Sequence, residues 1–238
     1  MPDTEYETQG FEVKIARPKS LKELVVEELR TRIIDGRLSF GAGLSENALA
    51  ADLGISKTPV REALLQLKLE GLVDVQPQRG TYVFRLAAPQ VVMISELRDI
   101  LETAAAAAAV ERNHASLTAE MTRIFEAMRA AYDADDIVAY RTLDGDYHQT
   151  LIDLCGNPYI RDAYSQVGFR IQALRSRLSR EAMLNRLSLK DHRDMLRLIK
   201  ARDVPALRAL LRAHINQTKQ SYLDLLEKQD IPTAEMAS

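Results

Sequence analysis

LSENALAADLGISKTPVR, residues 44–61, reads as a helix, a tight turn and a second helix. Ser45 offers its hydroxyl as an N-cap, and Glu46 puts a carboxylate in the first turn, where the helix dipole favours negative charge. Leu49 and Leu53 share a face at i, i+4 spacing. Gly54 suits the left-handed position that ends a helix, because it has no Cβ to clash. Ile55 plugs the turn, and either Ser56 or Thr58 caps the next helix. Pro59 is tolerated there, since first-turn N–H groups have no intrahelical partner. Val60, Ala63, Leu64 and Leu67 then form an apolar stripe. Lys57, Thr58 and Arg61 fall at the solvent-facing start of this helix. A helix-turn-helix presents short polar and basic side chains to base edges and phosphates in this way. Two helices of an ordinary bundle show the same local pattern, so the neighbouring residues must decide.

Downstream, Gly71 ends the second helix, and Leu72–Val75 and Thr81–Phe84 are short β-like runs. Between them lies QPQRG, residues 76–80, a turn with Arg79 and Gly80 at its tip. A hairpin after two such helices makes a winged helix-turn-helix. Any side chain at position 80 is expected to crowd the wing's approach to DNA. Upstream, Ser20 and Glu23 form a capping box. It opens a helix with Leu21, Leu24, Val25, Leu29 and Ile33 on one side, closed by Gly36. The candidate DNA contacts are Asn47, Ser56, Lys57, Thr58, Arg61, Arg79 and Gly80.

The run LSENALAADLGISKTPVREALLQLKLEGLV, followed by PQRGTYV, closely resembles the N-terminal domain of GntR-type bacterial transcription regulators. That family's core is a Ser-Arg-Thr-Pro-Val-Arg-Glu-Ala-Leu run, a Gly-ended helix and an Arg-Gly wing. Here Lys57 stands where Arg is usual. The charge is kept, but a point charge replaces the fork that suits guanine.

The chain has 238 residues, 46% of them hydrophobic, enough for one large or two ordinary domains with real cores. A net charge of −2 does not mark a nucleic-acid binder, but the distribution is uneven. Residues 1–13 carry four acids and no bases, and residues 1–12 read as a disordered arm. Residues 14–85 carry twelve bases against nine acids. The single cysteine, Cys155, reads as a small core hydrophobe. The longest apolar run, Ala104–Val110, is seven residues, too short to span a membrane, and the acidic N-terminus lacks a signal core. A cytoplasmic protein without membrane contact is expected.

Residues 85–89 read as a linker between a winged domain over 14–86 and a helical domain over 89–228. Pro89 opens a helix that runs through Glu96, Arg98 and Glu102 into six alanines, read as a tightly packed core helix. Thr118 caps the next, and His114 before it falls in a loop and reads as solvated. Asp135 or Asp136 starts a third helix, which ends before Gly156-Asn157-Pro158. A long helix to about Arg180 follows, then one over Leu187–Ala201. Asp203 caps the last, with Pro205 in its first turn, and the tail from Gln229 frays. The fold class is mainly α: a winged helix-turn-helix with a small hairpin, then an all-α bundle of six helices.

Of the four histidines, His148, His192 and His214 lie mid-helix on three different helices, each bordering an apolar stripe. Asp144 shares a helical face with His148 at i, i+4. Asp146 points about 200° away from Asp144. One Asp and three His facing a core can converge on a divalent cation, or the histidines can be separate hydrogen-bonded core residues. Spacing alone leaves both open.

The helical half resembles the C-terminal (FCD-type) domain of the FadR-like branch of GntR regulators. That branch carries an Asp-x-x-x-His pair and two later single histidines, which together bind a metal. Asp144-Gly-Asp-Tyr-His148, Asp191-His192-Arg193 and Ala213-His214 match these positions. Glu96-Leu97-Arg98 and Gly156-Asn157-Pro158 also fit, so the resemblance spans residues 14–225. Gly145 is a departure expected to loosen the turn beside Asp144.

The resemblance implies a ligand-responsive regulator, expected to be a repressor and not an enzyme. It implies a homodimer on palindromic double-stranded operator DNA, with zinc, nickel or manganese on Asp144, His148, His192 and His214. A small carboxylate metabolite is the expected effector, with Arg98 as a contact; a surface Arg98 paired with Glu102 is the alternative. A metal-dependent hydrolase would suit the same ligands but lacks a His-Glu-x-x-His run, and a metal-sensing regulator would need a more selective ligand set. Because imidazole ligates only when neutral, the site is expected to empty below about pH 6.

Overall fold

The computed structural model describes residues 18–85, 87–178 and 182–228. The expected N-terminal arm, the far end of the helix reaching Arg180 and the tail from Gln229 lie outside these residues. Helix α1 (Leu21–Ile34) starts on the capping box. The Ser20 hydroxyl accepts the Glu23 N–H at 3.2 Å, and the Glu23 carboxylate accepts the Ser20 N–H at 2.6 Å. Its buried residues are Val25, Val26, Leu29 and Ile33. Leu21 and Leu24 are about half exposed, so the buried stripe sits one step round from the expected one. A two-residue strand, β1 (Gly43–Leu44), precedes α2 (Glu46–Leu53) and α3 (Lys57–Leu69).

Gly54 joins the two helices at φ +66°, and nothing lies within 4 Å of where its Cβ would be. Conformation rather than crowding therefore selects glycine there. Ser45 caps α2 through the Ala48 N–H, and Ser56 takes the N-cap position of α3 without a side-chain bond. Val60, Ala63, Leu64 and Leu67 are buried as expected. The wing is β2 (Val73–Gln76) against β3 (Gly80–Val83), antiparallel, with β1 on the other side of β3. Sequence patterning missed β1, whose Gly43–Tyr82 and Leu44–Thr81 pairs are made at long range.

Among the described residues the remainder is six helices: α4 (Ala88–Arg112), α5 (His114–Asp133), α6 (Ile137–Asp153), α7 (Pro158–Leu178), α8 (Ala182–Ala201) and α9 (Val204–Lys228). Asp136 and Asp203 cap α6 and α9 through the Ala139 and Ala206 N–H groups. Two expectations are corrected. Thr118 lies inside α5, where its hydroxyl is buried without a hydrogen-bond partner. His114 is the first residue of α5, half-buried, and its Nε2 lies 2.8 Å from the Ile199 carbonyl, so it ties α5 to α8 instead of facing water.

The apolar core does not stop at the linker. Buried residues run continuously from Val25, Leu67 and Phe84 into Val91 and Ile94 of α4 and Ile171 and Leu174 of α7. Helix α7 also holds the winged domain by polar contacts. Arg170 Nε donates to the Gly71 carbonyl at 2.7 Å. The Arg30 guanidinium lies 4.3 Å over the Phe169 ring and pairs bidentately with Glu70. A second core, on Met121, Met128, Tyr147, Leu151, Ile199 and Leu211, fills the bundle. Among the described residues no helix is long and apolar enough to cross a membrane.

Candidate functional site

The candidate DNA contacts of the winged domain are all exposed. Asn47, Ser56, Lys57, Thr58 and Arg61 are all exposed at the N-terminal ends of α2 and α3, and Arg79 and Gly80 are exposed at the wing. Arg61 is not solvated alone. Its guanidinium donates to the Glu46 carboxylate at 2.9 and 3.2 Å, and Arg61 holds that carboxyl below its usual range. The Tyr82 hydroxyl donates to the Arg79 carbonyl at 2.8 Å and pins the wing turn. Gly80 has φ +120°, and a Cβ there meets only the Tyr82 ring, at 3.8 Å. Within the free chain the requirement for glycine is backbone conformation, not crowding.

The second constellation is buried. His148 of α6, His192 of α8 and His214 of α9 bring one ring nitrogen each to within 4.8 Å of one another. The two Nε2 atoms of His148 and His192 are 3.2 Å apart. Helix α6 is tied to α8 here, because the Tyr147 hydroxyl donates to the His192 carbonyl at 2.8 Å and that of Tyr140 to the Asn185 carbonyl at 3.0 Å. Asp144 approaches from one side, its Oδ1 3.8 Å from His192 Nε2. Asp146 is exposed, as its helical phase requires. The Gly145 turn stays helical and closely packed: a Cβ there would press Gln172 of α7 at 3.1 Å.

Two of the three rings are held from behind by carboxylates. His148 Nδ1 lies 2.8 Å from Glu102 Oε2, and His214 Nδ1 lies 3.2 Å from Asp191 Oδ2. A carboxylate only accepts, so each Nδ1 carries the proton and each Nε2 keeps its lone pair for the cluster. Burial pushes the His148 pKa down to about 3 and His192 well below its ordinary value. The neutral form of His148 thus persists well below the expected threshold of about pH 6. Burial would raise Asp144, but His192, Arg175, His148 and His214 bring it down to about 2. The three imidazoles, with Asp144 at their edge but outside the set of nitrogens that lie within 4.8 Å of one another, suit a borderline divalent cation.

Around Glu102 lies a network the sequence reading did not assemble. Glu102 is fully buried on α4, and its Oε1 accepts from Arg98 Nε at 2.7 Å, Arg175 Nη2 at 2.9 Å and the Tyr164 hydroxyl at 2.9 Å. Burial would raise its pKa, but Arg98, His148 and Arg175 hold the carboxyl well below the usual range. Arg98 is paired with Glu102 as the alternative foresaw, yet it is buried, with Nη2 3.4–3.5 Å from the His148 ring nitrogens. Its spacing to Glu102 was the one legible signal, and nothing local marked Arg175 or Tyr164.

A cavity open to solvent borders this centre and is lined by Asp144, His214, Arg175, Ser188 and their neighbours. Arg98 lines a smaller adjoining cavity together with Arg175. Arg175 Nε is buried without a hydrogen-bond partner and lies 3.9 Å from Asp144 Oδ2.

Comparison with known proteins matches both halves. The profile of the gntR family of bacterial regulatory proteins covers residues 21–83, and that of the FCD domain covers residues 93–217, more than half of the chain. The gluconate operon transcriptional repressor of Bacillus subtilis is 28% identical over 208 residues, 85% of this chain and 84% of that protein. A probable D-xylose utilization operon transcriptional repressor of Paenarthrobacter nicotinovorans is 28% identical over 77% of this chain and 80% of its own length. Among solved structures, E. coli McbR/YncC superposes with a TM-score of 0.73 at 26% identity, covering 89% of this chain and 99% of that one. A GntR regulator from Rhodococcus sp. RHA1 also gives 0.73, at 23% identity over 85% and 97%, and attests the fold. Nothing here supports the hydrolase reading. With its winged helix-turn-helix joined to an FCD domain, the chain belongs to the GntR family of bacterial regulators and is a DNA-binding transcription regulator, not an enzyme.

Proposed function

We propose that the chain is a ligand-responsive repressor that binds a palindromic operator as a homodimer in the cytoplasm. Its DNA affinity is set by a small organic acid beside one divalent metal in the helical domain. The observation that carries this reading is the histidine triad with carboxylates behind His148 and His214, next to an open cavity. His148, His192, His214 and Asp144 hold the ion, with zinc, nickel and manganese as candidates. When bound, the ion supplies a positive centre whose remaining positions accept carboxylate oxygens. Arg98 adds positive charge behind His148 and belongs to the effector site on that ground.

On the DNA side, Lys57, Thr58 and Arg61 reach base edges and phosphates from the start of α3, supported by Asn47 and Ser56. Arg79 and Gly80 approach the backbone or minor groove from the wing. One recognition helix reads few bases, so two-fold symmetry is needed for selectivity. Met93, Leu97 and Ile100 lie exposed at i, i+4 and i+7 on α4 and support a seam between two copies. The two relatives named as operon repressors support repression over activation.

Metal analysis of purified protein tests the reading, with about one equivalent per chain expected. Less than about one-tenth of an equivalent after metal-supplemented dialysis at neutral pH returns the histidines to core packing. Light scattering showing a monomer both free and on DNA removes the dimer.

A further inference from the structure

The outer face of α8 is a line of like charge. Arg186, Lys190, Arg193, Arg197 and Lys200 are all exposed, at i, i+4, i+7, i+11 and i+14. Apart from Met183 and Ala201 near its ends, every exposed residue described on this helix belongs to that set. The set forms one stripe about 21 Å long. Exposed bases elsewhere in the bundle carry their own acid: Arg123 pairs with Glu120, Arg129 with Glu126 and Arg212 with Asp99. On α8 the one acid that pairs with the stripe, among the described residues, is Asp194, 3.8 Å from Lys190 Nζ and 3.6 Å from Arg193 Nε. Arg186, Arg197 and Lys200 form no ion pair among the described residues. Like charges one turn apart repel, so the helix itself gains nothing from this arrangement.

We infer that this stripe holds a second stretch of duplex DNA, apart from the operator read by α3. Folded-protein interfaces are anchored by apolar and aromatic side chains, and between Arg186 and Lys200 the exposed positions of α8 offer none. A helix that binds anionic lipid sinks an apolar face into it. The apolar face of α8 is already buried inside the bundle, with Met195, Leu196 and Ile199. A phosphate backbone asks for positive charge alone, and Lys and Arg supply it as donors that accept nothing. The chain is a DNA-binding regulator, so duplex is the polyanion beside it whenever it occupies an operator. The stripe is not a further edge of the winged domain. Helix α7 holds that domain through Arg170 and Phe169, whereas α8 packs on α5 and α9. DNA held by α8 is therefore a separate segment, and a chain on its operator can tether it. This reading needs neither the metal nor the effector.

The full chain, loaded on bead-held operator, is tested for capture of a labelled non-operator duplex between about 50 and about 200 mM salt. The test variant carries Arg186→Gln, Arg197→Gln and Lys200→Gln together, which keep helix propensity and leave the buried face untouched. The parent is expected to capture the second duplex. The variant should lose that capture by about tenfold or more at the lower salt while holding the operator within about twofold. The slope of log K against log salt for capture should fall by about 2.7, about 0.9 for each phosphate contact removed. Arg197→Gln alone repeats the test with a smaller change and should lower the slope by about 0.9. Equal capture by parent and variants, or none by the parent, overturns the inference. An equal loss of operator affinity in Arg197→Gln overturns it too, since the stripe then touches the operator itself. Parent that ignores the second duplex but binds phosphatidylglycerol vesicles through the stripe moves it to a membrane and overturns it as well.

Discussion

The winged domain and the bundle hold their arginines in opposite ways. Arg61 pairs with Glu46 in the open, its side chain 64% exposed. Arg98 and Arg175 pair with Glu102 out of water, with Glu102 at 0%. An exposed pair contributes about 0–1 kcal/mol and exchanges partners readily, so a phosphate or a guanine can take Arg61 from Glu46. A buried cluster cannot release one member without stranding the others. The first arrangement suits a face that must meet many DNA sites. The second fixes the groups behind the histidines within the chain itself, which under the proposed function lowers the ordering cost of ligand binding.

Mutation can break this contrast. Glu102→Ala leaves two buried guanidiniums without their carboxylate and should cost about 3–5 kcal/mol of stability, read by urea denaturation. A loss under about 1 kcal/mol would mean that the cluster is wetter than its burial indicates. Removing the metal should come next. At a metal concentration a hundredfold above Kd the loaded chain gains about 2.7 kcal/mol over the chelated one, visible as a higher Tm. An unchanged melting curve on chelation would separate the histidines from any ion.

Arg61→Ala should weaken operator binding by about 1–3 kcal/mol if the side chain meets a base. If it meets only phosphate, all sequences should weaken alike and the salt slope should fall by about one. Unchanged operator affinity would remove the recognition-helix assignment. The smallest effect is expected for Glu46→Ala. Freed of its competitor, Arg61 should bind DNA up to about 1 kcal/mol tighter. Weaker binding would instead make Glu46 the group that aims Arg61.

The same contrast governs what the sequence disclosed. The helix-turn-helix depends on contiguous signals: a cap at Ser45, a left-handed turn at Gly54 and a stripe from Val60 to Leu67. Each works within a few residues, so the run could be read directly. The histidines were legible as residue types at helical spacing, but their convergence depends on how α6, α8 and α9 pack. Arg175 and Tyr164 were invisible for the same reason, since their partner Glu102 is more than sixty positions away. Local patterning also misled at Thr118 and His114. A plausible cap fell inside a helix, and the start of α5 is tied to α8 by His114.

Helix α7 carries Tyr164 and Arg175 at the buried centre and, between them, Phe169 and Arg170 against the winged domain. Arg170 and Arg175 are five residues apart, about 7.5 Å along the axis of a continuous helix. Such a rod is stiff on that length, so its two ends cannot move independently. Phe169 sits under Arg30, and Arg170 grips Gly71, whose φ of +70° and missing Cβ leave room for the guanidinium. Under the proposed function, a ligand that displaced Arg175 would act through this rod on the turn between α3 and the wing, and the bearing at its far end would be a glycine.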